Sequence, residues 1–407
     1  MLILSLTALL GIAGLALDLG HAFLNKTRLQ NAVDAAALSG AKTLNQHRST
    51  LLASSHALQT FNAYIDSELN DPSLTPTLEF SDSLSPFIPG GLNPRFIRVS
   101  LANFTMPVML ANILPGVGDM FTLKSSSVAG PMSLGGGEIC DVAPLFVCGD
   151  ISDTNCSDGS CYGLEIGDER EVCLKTGSSD SGNGNGNGNG NGVGNWKGQQ
   201  SGSDEECADV EPGIGPGNFQ LLSLDCGNGA NCVREAMSGA YQGCITIGGS
   251  VSTKPGNTVG PTADGFNTRF GQYKGGMNSV DHPQDLVTTN RDDDPDFWYR
   301  NYLGRYVNQN YDNPETGRPG RRIMAVPIGS CDGTVNGRGE VQVSAVGCFY
   351  LTRPASHQGN TQAIYGQLIG DCEVSGEPPA LPTSGPTLET YGTYKIVLYK
   401  DPFSDES

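Results

Sequence analysis

From Met1 to Leu17 the chain carries no charge, and from His21 to Ser39 it contains neither Gly nor Pro. These two facts constrain the start of the protein to one long helix, an apolar anchor continued by a stalk. At about 1.5 Å per residue the uncharged run is near the lower limit for crossing a hydrocarbon core of about 30 Å. Leu10 and Ile12, near its middle, are the residues expected to sit in a membrane or a filament core. Beyond Asp18, Ala22, Leu29, Val33, Ala36, Gly40 and Leu44 recur at helical spacing. The stripe is narrow and small, so Leu29, Val33, Ala36, Ala37 and Gly40 are expected to receive a closely packed partner helix.

The run GLALDLGHAFLNKTRLQNAVDAAALSGAKTL, residues 14 to 44, resembles the N-terminal signature of TadE/TadG-like proteins of the tight-adherence (Flp) pilus system. Gly14, Asp18, Gly20, Leu29, Gln30, Asn31, Asp34, Ala35, Ala36, Ala37 and Leu38 carry the likeness, in order and without a gap. CDVAPLFVC (140–148), PGNFQLLSL (216–224), STKPGNTVGP (252–261), GFNTRF (265–270) and RRIMAVPI (321–328) are similar to segments of long TadG-type proteins. The resemblance implies a membrane-anchored, exported, non-enzymatic component of a pilus apparatus. Its partners would be the membrane, other pilus or secretion proteins, or copies of itself. Its place would be the bacterial inner membrane with its bulk in the periplasm, or the cell surface or an extracellular filament. Two alternatives stay open: a structural subunit polymerised through the N-terminal helix, and a surface adhesin. Ser5 stands where many pilins have an acidic residue, which counts against pilin-style polymerisation. No Lys or Arg precedes the apolar run and no small-residue cleavage site ends it, so it reads as a retained anchor, in a chain processed or incomplete at its start.

The expected fold class is α+β: a long N-terminal pilin-like helix with a small α+β unit, then a disulfide-rich, mainly β distal domain. The expected boundaries are 1–48 for anchor and stalk, 49–134 for the α+β unit and 135–407 for the distal domain, with a Gly-Asn low-complexity loop at 181–195. A second helix, with Leu51, Leu58, Phe61, Ile65 and Leu69 on one face, should end near Pro72. Strands are expected at 77–83, 95–102 and 120–128, with a short helix over 105–114. Later, a helix is expected at 232–240 and strands at 243–252, 321–328, 339–352, 363–373 and 392–400.

All twelve cysteines, Cys140, Cys148, Cys156, Cys161, Cys173, Cys207, Cys226, Cys232, Cys244, Cys331, Cys348 and Cys372, lie in the distal domain. An even number confined to one region reads as disulfides formed in an oxidising compartment. Spacing leaves the pairing open, with Cys140–Cys148 and Cys156–Cys161 as possible local staples. The net charge is −19; residues 1–48 carry +2 of it, leaving −21 for the rest. Phosphate binding needs a basic patch, so nucleic acid is excluded as a partner.

No HExxH, Gly-x-Ser-x-Gly, phosphate-loop or Cys-x-x-Cys motif is present, and no cofactor is expected. Two acidic clusters have the residue types of a cation site. Asp150-Ile-Ser152-Asp-Thr154 is close to an Asp-x-Ser-x-Ser metal-dependent adhesion motif, but a Cys/Gly loop follows it where a helix is required. Asp292 to Asp296 could offer oxygens to Ca²⁺, while the favoured reading has Asp294 capping a helix that begins at Pro295.

Overall fold

The computed structural model describes residues 2–69, 71, 73–110, 118–134, 137–153, 160–165, 169–176, 218–224, 229–239, 243–256, 258–335, 337–358, 361–377 and 392–401. The chain divides into two compact units, Met1–Pro131 with Ile396–Ser407, and Met132–Lys395. Residues 396–401, expected in the distal domain, therefore belong to the first unit. The Gly-Asn segment 181–195 and Cys156, Cys207 and Cys226 lie outside the described residues.

In the first unit, α1 (Leu2–His47) and α2 (Thr50–Glu68) form an antiparallel hairpin. Arg48 supplies the turn with φ 53°, and Ser49 caps α2 by accepting the Leu52 N–H at 3.3 Å. The buried face of α2 is Leu52, Ala53, Ala57, Phe61 and Ile65; Leu51, expected there, is 74% exposed, one position off the stripe. Strands β1 (Thr77–Ser81), β2 (Phe96–Pro107) and β3 (Met120–Ser133) pair antiparallel in that order, and the end of β19 (Gly392–Tyr399) follows β3. Ile97, Val99 and Leu101 turn toward the helices as the alternation predicts. The helix expected over 105–114 is not formed: Thr105–Pro107 continues β2, and 111–117 lies outside the described residues. A register shift between Leu101 and Phe104 hides this continuation, because it leaves Ala102 and Asn103 exposed in succession and breaks the period of two.

The second unit is built of short elements: β4 (Glu138–Cys140), β5 (Val147–Cys148), β6 (Ser160–Cys161), β7 (Leu164–Glu165), β8 (Val172–Thr176), β9 (Asn218–Leu222), α3 (Ala230–Met237), β10 (Cys244–Thr246), β11 (Ser250–Pro255), α4 (Val259–Asn267), α5 (Tyr299–Val307), β12 (Ile323–Gly329), β13 (Glu340–Gln342), β14 (Ala345–Leu351), β15 (Ser356–Gln358), β16 (Thr361–Ile369), β17 (Asp371–Glu373) and β18 (Ser375–Glu377). Its main sheet runs β15-β16-β14-β12-β5, with β8 also on β16. Every residue of β14 is buried, as a central strand with both faces covered requires. Disulfides join Cys140 to Cys244, Cys148 to Cys331 and Cys348 to Cys372. The local Cys140–Cys148 staple is thus not made; Cys140 and Cys244 are direct partners across β4 and β10. Cys161 and Cys232 are also disulfide-bonded, and no described cysteine is free.

Candidate assembly surface on the N-terminal helix

The stripe expected to meet a partner helix is already occupied. Leu29, Val33, Ala36 and Ala37 are at 0% exposure in one cluster with Ala57, Phe61, Ile97 and Val99. A Cβ on Gly40 would come 2.7 Å from Ile97 Cδ1 and 3.1 Å from Ala57 Cβ. These small side chains let α1 approach its own α2 and β2, so they are interior packing and present no face to another chain.

Toward the N-terminus α1 is built the other way round. Gly14, Asp18, Ala22 and Asn25 form its covered side, while Ile12 (65%), Leu17 (64%), Leu19 (50%), Phe23 (74%) and Leu24 (47%) are exposed. Asp18 is 3% exposed because its carboxylate accepts the Met109 N–H at 3.2 Å and the Leu110 N–H at 2.8 Å. Gly14 makes room for that approach: a Cβ there would lie 2.8 Å from Leu110 Cβ and 3.2 Å from its carbonyl carbon. Further along, Gln30 donates to the Ser126 carbonyl at 3.1 Å and accepts from the Ser125 hydroxyl at 2.7 Å, fixing α1 to β3. Signature positions Gly14, Asp18, Leu29, Gln30, Ala36 and Ala37 therefore seat the helix on its own unit, while Ile12, Leu17, Leu19, Phe23 and Leu24 stay outside together with the polar His21, Thr27 and Asn31.

Met109 (62%), Leu110 (44%) and Met120 (52%) are exposed too. Large apolar side chains on an isolated helix face mark a surface that another apolar body covers. Among the described residues no helix is long and apolar enough to cross a membrane. Of the two anchor residues expected, Ile12 lies on the exposed face, and the Leu10 side chain lies outside the described residues.

The acidic clusters are held by their own neighbours. Asp150 accepts the Ser152 hydroxyl at 2.6 Å and its N–H at 2.9 Å, which holds its carboxyl below the usual range; Thr154 lies outside the described residues. The helix expected from Pro295 starts at Tyr299, with the Asn301 side chain accepting the Trp298 N–H at 3.1 Å. Asp294 instead accepts the Asp296 N–H at 3.1 Å in a local turn. The extended Trp298, buried under the Arg291 guanidinium at 3.9 Å, delays the helix. Among the described residues no three His, Cys, Asp or Glu gather so as to hold a metal.

Sequence reading missed a Ser–His–Glu arrangement: His282 Nδ1 is 2.9 Å from Ser238 Oγ and Nε2 is 3.3 Å from Glu235 Oε2. His282 comes 44 positions after Ser238, so no local motif signals the arrangement. Ser238 is at 0% exposure, which closes its hydroxyl to any substrate, and the group acts as a cap on the end of α3.

No curated protein and no solved structure matches the chain. Residues 1–43 match the family described as Putative Flp pilus-assembly TadE/G-like. That match covers the whole outward apolar face of α1 and most of its inward stripe, and in this segment the chain is similar to TadE/G-like proteins.

Proposed function

We propose that the protein is a non-enzymatic component of a Tad/Flp-type pilus apparatus, held in place by the outward face of α1. The observation that carries this reading is the row of exposed Ile12, Leu17, Leu19, Phe23 and Leu24 in the segment that matches the family. Covering such side chains with hydrocarbon or another helix contributes about 1.5–3 kcal/mol for each one fully buried. The buried carboxylate of Asp18, with two N–H donors, leaves that face without a carboxylate of its own. In this reading the helix sits in the inner membrane or among other apparatus helices, and the acidic, disulfide-linked second unit faces the periplasm or the exterior.

The test is Phe23→Asp combined with Ile12→Asp in cells that assemble the apparatus. Both sites are solvent-exposed, so folding should be preserved while the protein leaves the membrane and sheared-filament fractions. Unchanged fractionation with a normal melting curve would show that this face is not the attachment surface.

A further inference from the structure

A cavity of about 570 Å³ opens in the first unit where α1 passes β3. Its charged lining sets Lys26, Arg98 and Lys124 against Glu79 and Asp401, a surplus of one positive charge in a chain whose net charge is −19. Both carboxylates are engaged within the wall. Glu79 accepts from Arg98 Nε at 2.8 Å and Nη2 at 2.6 Å, while Asp401 accepts the Ser126 hydroxyl and lies 3.8 Å from Arg98 Nη1. Charge-assisted pairs of this kind fix Arg98, whose guanidinium lies over the Phe87 ring at 4.6 Å, so the two lysines carry the charge offered to an incoming group. Ser100 and Gln30 add a hydroxyl and an amide to the same lining.

The place of the cavity says what brings an anion there. Lys26 Nζ donates to the Lys124 carbonyl, and Gln30 bonds to Ser125 and Ser126, so α1 and β3 run level at this point. Phe23, a helical turn before Lys26, is exposed, and so is Met120, on the same face of β3 as Lys124 and four residues before it. On both elements a large apolar side chain gives way to a lysine at the same height. A lysine stem lies along apolar surface while its ammonium reaches the polar layer, the pattern found where hydrocarbon meets head groups.

We propose that the cavity binds the head group of an anionic phospholipid that carries hydroxyls, as phosphatidylglycerol does. The phosphodiester lies between the Lys26 and Lys124 ammonium groups, and its one negative charge matches the surplus in the lining. The head-group hydroxyls reach Ser100 and Gln30, and the acyl chains leave across Phe23 and Leu24. The site rests on the reading of the outward face of α1 as the attachment surface, and adds the lipid that this surface selects.

The full chain would be titrated with vesicles of phosphatidylcholine alone, and of phosphatidylcholine mixed with an equal share of phosphatidylglycerol or of phosphatidylserine. The two mixed vesicles carry the same charge, so surface potential does not separate them. Phosphatidylglycerol vesicles are expected to bind about tenfold tighter than phosphatidylserine vesicles, with S100V erasing that preference and K124Q weakening phosphatidylglycerol binding about tenfold while phosphatidylcholine binding stays unchanged. Equal binding of both mixed vesicles by the wild type overturns the site, and binding to phosphatidylcholine alone then leaves the attachment face standing. Failure to bind any vesicle overturns the site and the attachment face together. Inorganic phosphate that releases the protein from phosphatidylglycerol vesicles at constant ionic strength would make the occupant a free anion and overturn the lipid. A preference that survives in both S100V and K124Q overturns the site as well. Should S100V melt early, the wild-type comparison and K124Q, changed at an exposed lysine, decide.

Discussion

The Asp18 carboxylate on α1 accepts the Leu110 N–H at 2.8 Å, across 92 positions of sequence. This bond and its companion from Met109 place an acidic residue inside an otherwise apolar half-helix and give it a structural task. Asp18→Leu removes the acceptor and leaves two backbone donors without it, at a cost of about 1–3 kcal/mol. The expected result is a lower melting temperature for the first unit and faster amide exchange at Met109 and Leu110. Unaltered exchange at both amides would refute the clamp.

Gly40 lies on the inner side of α1, where its missing side chain accommodates Ile97 and Ala57. Gly40→Leu forces a branched side chain into a filled core and should destabilise the first unit by about 1–3 kcal/mol or more. Any assembly defect in this variant would then follow from misfolding, unlike a defect in Phe23→Asp. A wild-type melt for Gly40→Leu would mean that the stripe is loosely packed.

His47, near the end of α1, has its imidazole pKa lowered to about 4, first by burial and then by His56. The unfolded chain, with an ordinary histidine value near 6.5, takes up the proton first as pH falls. This contribution is complete above about pH 6.5 and is lost progressively toward pH 4, reaching roughly 3 kcal/mol at most. His47→Leu should flatten the acid limb of the first unit's stability curve between those values. Urea melts at several pH values would measure it, and parallel curves for both proteins would contradict it.

Cys148–Cys331 closes 183 residues of chain between the end of β5 and the segment after β12. Replacing both cysteines by Ala should lower the stability of the second unit by about 2–5 kcal/mol while the melt of the first unit stays in place. Equal losses in both units would show that the two do not unfold separately.

The helices were legible because their signals are local. A continuous stretch without Gly or Pro announced α1, and the 3.6 period announced α2 apart from the one-position slip at Leu51. Alternation at 96–101 announced β2 until its bulge hid the rest. What stayed hidden is non-local. Nothing near Tyr399 says that its hydroxyl donates to the Pro131 carbonyl at 2.8 Å or that its ring packs 5.9 Å from Phe96 in the first unit. Cysteine spacing is likewise silent on Cys140–Cys244. The stripe from Leu29 to Gly40 carries a helical period, and in the fold it packs on α2 and β2; a period alone does not say whether the partner is another chain or this one.

Arg322 is fully buried in the second unit, and its guanidinium is spent on carbonyls. Nε and Nη2 donate to Leu351 at 3.0 and 2.7 Å, Nη1 to Val287 and Thr289 at 3.1 and 2.6 Å, and Nη2 also to Thr352 at 3.2 Å. It lies over the Tyr350 and Phe270 rings at 4.6 and 4.7 Å. Its own N–H donates to Asp285 Oδ2 at 3.0 Å, and the Tyr302 and Tyr306 hydroxyls donate to the same carboxylate. Burial pushes the Asp285 carboxyl up, and the Val287 N–H, the Arg322 charge, the Tyr302 hydroxyl and the Arg322 N–H oppose that push. Lysine cannot replace this fork, because a single ammonium on a flexible stem reaches only part of the carbonyl set. Arg322→Lys should therefore destabilise the second unit by about 3–5 kcal/mol, the range for breaking a buried charged network. A calorimetric scan should show the second unit's transition shifted down with the first unit's unchanged, and a shift within error would mean that the carbonyls find other donors.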